Sequence, residues 1–133
     1  MKVTGACHCG AITIEGEADP EKVTVCHCTD CQTGTGSAFR VSVPIPGTVF
    51  KMKGRPTNYV KTSADSGNPR VQAFCGQCGS PIFSALVEPA GVLAVKAGTL
   101  DDRSAVTPTV EVWCDHKQPW VDLPGMTASL ARE

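Results

Sequence analysis

Aromatic residues are scarce, at 5% of the 133 positions. That excludes a core built around large rings, which bury the most area per side chain. Val, Ile, Leu and Ala must form a thin core instead. Long apolar runs are missing too. The longest are a few residues, well short of the ~20 that span a bilayer, so no membrane partner is expected. The opening Met1-Lys2-Val3-Thr4-Gly5 has none of the apolar character of a secretory signal, which makes the cytoplasm the expected location. Neither charge is in excess: Lys and Arg number 12 against 13 Asp and Glu. With no basic cluster, no nucleic-acid partner is expected. No repeat, linker or low-complexity tract divides the chain. Its length predicts one domain over 1–133 with a modest core.

What the chain has in quantity is cysteine. Seven of its 8 cysteines fall into three tight clusters: Cys7-His8-Cys9-Gly10, then Cys26-His27-Cys28-Thr29-Asp30-Cys31, then Cys75-Gly76-Gln77-Cys78-Gly79. Disulfide frameworks belong to secreted domains. In a reducing compartment, Cys-x-Cys and Cys-x-x-Cys pairs read first as metal ligands.

Between the clusters run short apolar–polar alternations, the period of half-buried strands. They predict strands at Ile12–Glu15, Val23–Val25, Ala38–Val43, Val49–Lys53, Asn58–Lys61, Val71–Phe74, Ile82–Leu86, Val92–Ala97 and Val110–Trp113. Pro44, Pro46, Pro56, Pro69, Pro81, Pro89 and Pro108 are expected as breaks between strands or at their ends. Helical turns are predicted only at Thr29–Thr33, with Asp30 as a candidate cap, and at Leu100–Ser104. Ser63–Pro69 reads as a polar loop. The expected fold is all-β, with roughly eight to ten short strands.

The cysteines divide four and three. In the first and third clusters the second cysteine precedes a glycine (Gly10, Gly79). A tight turn there lets backbone N–H groups approach metal-bound sulfurs. Cys7, Cys9, Cys75 and Cys78 thus suit a closed tetrahedral zinc site. Cys26, Cys28 and Cys31 have no fourth cysteine at comparable spacing. Zinc on three thiolates would have room for a water or a small thiol, which it would keep as thiolate at neutral pH. The alternatives are a second structural zinc completed by His27, His8, His116 or Cys114, or three reduced thiols without a metal, which would be prone to oxidation. His8 and His27 lie between paired cysteines, which predicts side chains pointing away from the metal. His116 reads as a solvated loop residue and Cys114 as a buried small one.

These clusters, with Thr35-Gly36-Ser37-Ala38-Phe39, Gly79-Ser80-Pro81-Ile82-Phe83, Ala97-Gly98-Thr99-Leu100-Asp101-Asp102 and Pro119-Trp120, resemble the glutathione-dependent formaldehyde-activating enzymes, the GFA domain shared with centromere protein V. The resemblance covers nearly the whole chain. It implies a zinc β-tent of small antiparallel sheets with at most short helical turns. It implies a structural zinc on Cys7, Cys9, Cys75 and Cys78, and a labile catalytic zinc on Cys26, Cys28 and Cys31. The implied reaction is a carbon–sulfur lyase equilibrium in which glutathione, or a similar small thiol, adds to formaldehyde or another aldehyde. Asp30, Thr35, Ser37 or water would supply the proton. Where the family often has basic residues after the third cysteine, Gln32 and Thr33 stand here. Glutathione's carboxylates call for cationic partners, for which Arg40, Lys51, Arg55, Lys61 and Arg70 are candidates. A non-catalytic zinc module that binds a protein partner is the alternative reading.

Overall fold

A computed structural model describes residues 1–87 and 91–133, and among these are eleven short strands, one α-helix and five short 3-10 turns. Pro89, expected as a strand break, lies outside the described residues. The strands are β1 (Lys2–Ala6), β2 (Thr13–Glu17), β3 (Thr24–Cys26), β4 (Arg40–Pro46), β5 (Phe50–Lys53), β6 (Thr57–Thr62), β7 (Pro69–Phe74), β8 (Pro81–Leu86), β9 (Val92–Lys96), β10 (Val110–Val112) and β11 (Ala128–Ser129). The helix, α1, spans Thr29–Thr35 between β3 and β4. The fold is mostly β, as expected.

A three-stranded sheet, in the order β1-β2-β5, packs against an eight-stranded one, β11-β10-β3-β4-β9-β8-β7-β6. Pairing is antiparallel except where β10 runs parallel to β3 and β11. Strand alternation explains how the large sheet is used. Successive side chains point to opposite faces. Val41, Val43 and Ile45 of β4, with Val95 of β9, join Val3, Ile12 and Ile14 in the core between the sheets. The residues between them point the other way: Arg40 and Ser42 on β4, Lys96 on β9, Ser84 on β8, Arg70 on β7 and Cys26 on β3. All of these except the fully buried Ser84 line a cavity of about 950 Å³.

The structure departs from the sequence expectation at several points. β4 continues through Pro44 and Pro46, both read as breaks. Opposite β3 it is paired only over Arg40–Ser42, so beyond Ser42 that side offers no ladder for a missing N–H to interrupt. Pro69 and Pro81 open β7 and β8, positions a proline tolerates. β1 and β11 were not among the expected strands. Leu100–Ser104 is not one turn: Leu100 bridges to Gly5, and 3-10 turns flank it at Ala97–Thr99 and Arg103–Ala105. β10 stops one residue early, because Trp113 adopts φ 57°, a left-handed conformation rare for a bulky residue.

Ile45 is fully buried between the sheets. Truncation to Ala should cost about 2–5 kcal/mol, the usual range for a large-to-small core change, read as a lowered urea midpoint at unchanged m-value.

Candidate metal centres

Two distant turns bring the first sulfur cluster together. Residues 7–10 close with the Gly10 N–H donating to Cys7 O at 3.0 Å, and residues 75–79 with the Gly79 N–H donating to Cys75 O at 2.7 Å. Both glycines have positive φ, 80° and 78°, so each turn ends in the same left-handed glycine although the second is one residue longer. The Sγ atoms of Cys7, Cys9, Cys75 and Cys78 all lie within 4.8 Å of one another. The Ile12 N–H donates to Cys7 Sγ at 3.2 Å. Cys78 Sγ lies 3.2 Å from the Ser80 hydroxyl. That hydroxyl, then the Ser80 N–H, lowers the Cys78 thiol to about 5, which favours the thiolate a metal needs. The exposed His8 links the turns through its N–H, 2.9 Å from Ser80 Oγ. Four sulfurs with backbone support fit a zinc ion.

The second cluster is built by the β3–α1 junction. Cys26 ends β3, Cys28 caps the helix and Cys31 lies in its first turn. All three are buried, and their Sγ atoms lie within 4.8 Å of one another. Asp30 is not the cap. The Cys28 sulfur takes that role, accepting from the Cys31 N–H at 3.3 Å, and Asp30 pairs with Lys61 at 3.7 Å. Contacts with the Cys26 and then the Cys31 sulfur hold the Cys28 thiol far below its ordinary value, and contacts with Cys28 and then Cys31 raise Cys26. The cluster therefore favours charge on Cys28, a preformed soft donor.

The loop after β6 is tied down. Asp65 accepts from the Thr29 N–H at 3.0 Å and lies 3.1 Å from His116 Nε2. His116 is thus paired to Asp65 and stacked on Trp113, where a solvated loop residue was expected.

His27 points away from the sulfurs, as expected, but it is fully buried. Its Nε2 lies 3.9 Å from Glu111 Oε1. Cys114 is not a core residue. It is half-buried, and its thiol contacts Glu111 Oε1 at 3.2 Å. His27, Glu111 and Cys114 form a separate group. Among the described residues, no His, Cys, Asp or Glu joins Cys26, Cys28 and Cys31 as a fourth donor.

These three cysteines also line the large cavity. Of the expected cations, Arg40, Lys61 and Arg70 line it and Lys51 and Arg55 do not. Lys96 does, and sequence reasoning missed it; the signal was a lysine ending an otherwise apolar strand. Thr35 and Asp30 also face the cavity, whereas Ser37 does not.

The family model described as glutathione-dependent formaldehyde-activating enzyme matches residues 2–116. The chain belongs to the GFA family. It is also similar in fold to the crystal structure of a Rhodobacter sphaeroides protein from a structural-genomics programme. The TM-score is 0.61 at 20% identity, with 79% of this chain and 96% of that one covered. Among the described residues, no helix is long and apolar enough to cross a membrane.

Gln32 straps the second cluster in place. Its Nε2 donates to His27 O at 2.8 Å and to His116 O at 3.0 Å, and its Oε1 accepts from Gln118 at 2.9 Å. Gln32→Ala should lower the unfolding free energy by about 1–3 kcal/mol, since partners are left unsatisfied, as measured by chemical denaturation.

Proposed function

We propose that this GFA chain is a zinc-dependent carbon–sulfur lyase/synthase. In this reading it joins a small thiol, glutathione or similar, to formaldehyde or another aldehyde. The observation that carries it is the contrast between the clusters. Four sulfurs close one group outside the cavity. Three buried sulfurs line the cavity, and the candidate fourth donors His27 and Cys114 group with Glu111 instead of with those sulfurs.

Cys7, Cys9, Cys75 and Cys78 would hold a structural zinc, and Cys26, Cys28 and Cys31 a catalytic one. Bound there, the second zinc would supply a Lewis-acidic centre with an open position and favour thiolate at neutral pH. In the forward direction the substrate sulfur gives up its proton and forms a bond to the carbonyl carbon. The carbonyl π-electron pair moves to oxygen, which takes up a proton. Asp30, held by Lys61 at the cavity wall, is suited to exchange that proton with water. Thr35 is less free, since its hydroxyl donates to Cys31 O at 2.8 Å.

Two measurements test this reading. Metal analysis after mild chelation should show one zinc lost with the β circular-dichroism signal retained. Retention of both metals, or collapse of the fold with the first loss, would favour two structural sites. Exchange spectroscopy of glutathione and formaldehyde should show exchange accelerated by the protein but not by Cys28→Ala. Equal exchange with both proteins would falsify glutathione–formaldehyde chemistry at this site.

A further inference from the structure

The cavity floor holds positive charge that the chain does not balance. Arg40, Arg70 and Lys96 come from β4, β7 and β9 and converge on a single hydroxyl. Their Nη1, Nη2 and Nζ atoms lie 3.2, 3.5 and 3.2 Å from Ser84 Oγ. Ser84 is fully buried and Lys96 is 8% exposed. A hydroxyl oxygen has two lone pairs and cannot satisfy three cationic donors. Arg40 Nε is buried without a partner, and so is Ser42 Oγ, on the residue paired with Lys96 across β4 and β9. Among the described residues, none of the three cations makes an ion pair with Asp or Glu. Asp30 is taken up by Lys61, and the Glu133 carboxylate sits 3.3 Å from the Trp113 indole N–H. The crowding acts on Lys96: burial, then Arg40, pushes its ammonium down to about 6.

The neighbouring thiolates do not remove the imbalance. Three thiolates on a zinc dication would carry one net negative charge, fewer than the two guanidinium charges of Arg40 and Arg70 alone. Burying like charges together is costly unless a counter-ion completes the set. Arginine forks match a planar carboxylate, and Arg40 is the cross-strand partner of Cys26. We infer that Arg40, Arg70 and Lys96, gathered on the buried Ser84 hydroxyl, form a carboxylate-binding subsite beside the three-cysteine cluster, so that one reactant carries a carboxylate. The carboxylate belongs either to the thiol, as in glutathione, or to the electrophile, as in a 2-oxo acid. Only this choice of carrier rests on the proposed reaction.

Titration calorimetry on the full chain tests the subsite with glutathione, glutathione diethyl ester, glyoxylate and inorganic phosphate. At least one free acid should bind. If glutathione does, its ester should bind at least about tenfold more weakly, the size of a lost charge-assisted contact. Arg70→Gln should weaken the acid by a similar factor and leave the ester unchanged. Glutathione binding assigns the carboxylate to the thiol, and glyoxylate binding alone assigns it to the electrophile. Equal affinity for acid and ester, equal loss of both in Arg70→Gln, or binding of phosphate but neither acid overturns the subsite. Failure of the reaction reads differently: acid binding persists in Arg70-dependent form while exchange spectroscopy shows no acceleration.

Discussion

The two-residue period of the large sheet is the constraint on which the rest of this structure depends. Along β4, Val41, Val43 and Ile45 face the core while Arg40 and Ser42 face the cavity. Along β9, Val95 and Lys96 divide in the same way. A slip of one residue would exchange the two sets, burying arginine and lysine against Ile12 and Ile14 and exposing the valines. Burial of the apolar face thus specifies where the cations go. The cavity's chemistry follows from the same registers that make the core.

The two sulfur clusters relate differently to that core. Cys7 and Cys75 belong to the same buried cluster as Val3, Ile14 and Val43. A metal on their sulfurs would join the end of β1 to the β7–β8 turn and so crosslink the sheets. In a domain with few aromatic side chains, such a crosslink substitutes for apolar area. Cys26, Cys28 and Cys31 pack instead with Val112 and Trp113 in a separate, smaller cluster. Loss of a metal there would leave the contacts between the sheets in place. This difference supports the proposed division between a site that holds the fold and one that acts.

How far the sequence could be read follows from the range of each interaction. The cysteine groupings depend on spacings of two or three residues within each cluster, and they were legible. So were the strands whose alternation is strong, such as β4 and β8. β1 escaped because Lys2–Ala6 carries Gly5 and little apolar area of its own; pairing to β2 makes it a strand. β11 is two residues long and exists through its parallel partner. Asp30 has the composition of a cap, but the helix begins at Thr29, where the Cys28 sulfur already fills that role. Cys114 followed an apolar pair and read as core. The left-handed Trp113 turns the chain there and brings its thiol to Glu111. The cation cluster was the hardest to read. Arg40 and Arg70 were among five candidate cations that the sequence could not sort, and Ser84 and Lys96, polar positions in mainly apolar strands, were missed. Only the strand order β4-β9-β8-β7 brings them onto one buried face.

A three-sulfur metal site stays open only if the chain around it cannot supply a fourth donor. Here the candidates lie in a separate group. Glu111 is held ionised against the cost of its burial by the Lys117 ammonium at 2.8 Å; it accepts from the Cys114 thiol at 3.2 Å, and the His27 ring lies 3.9 Å from it. Gln32 fixes the His27 carbonyl and thus the path of the chain between Cys26 and Cys28. His116 is held by Asp65 and Trp113. The residues interleaved with the cysteines, which look like extra ligands in the sequence, therefore act in the opposite sense. Their side chains are turned away from the sulfurs, and in the proposed reading a metal held there would keep a position for a molecule from outside.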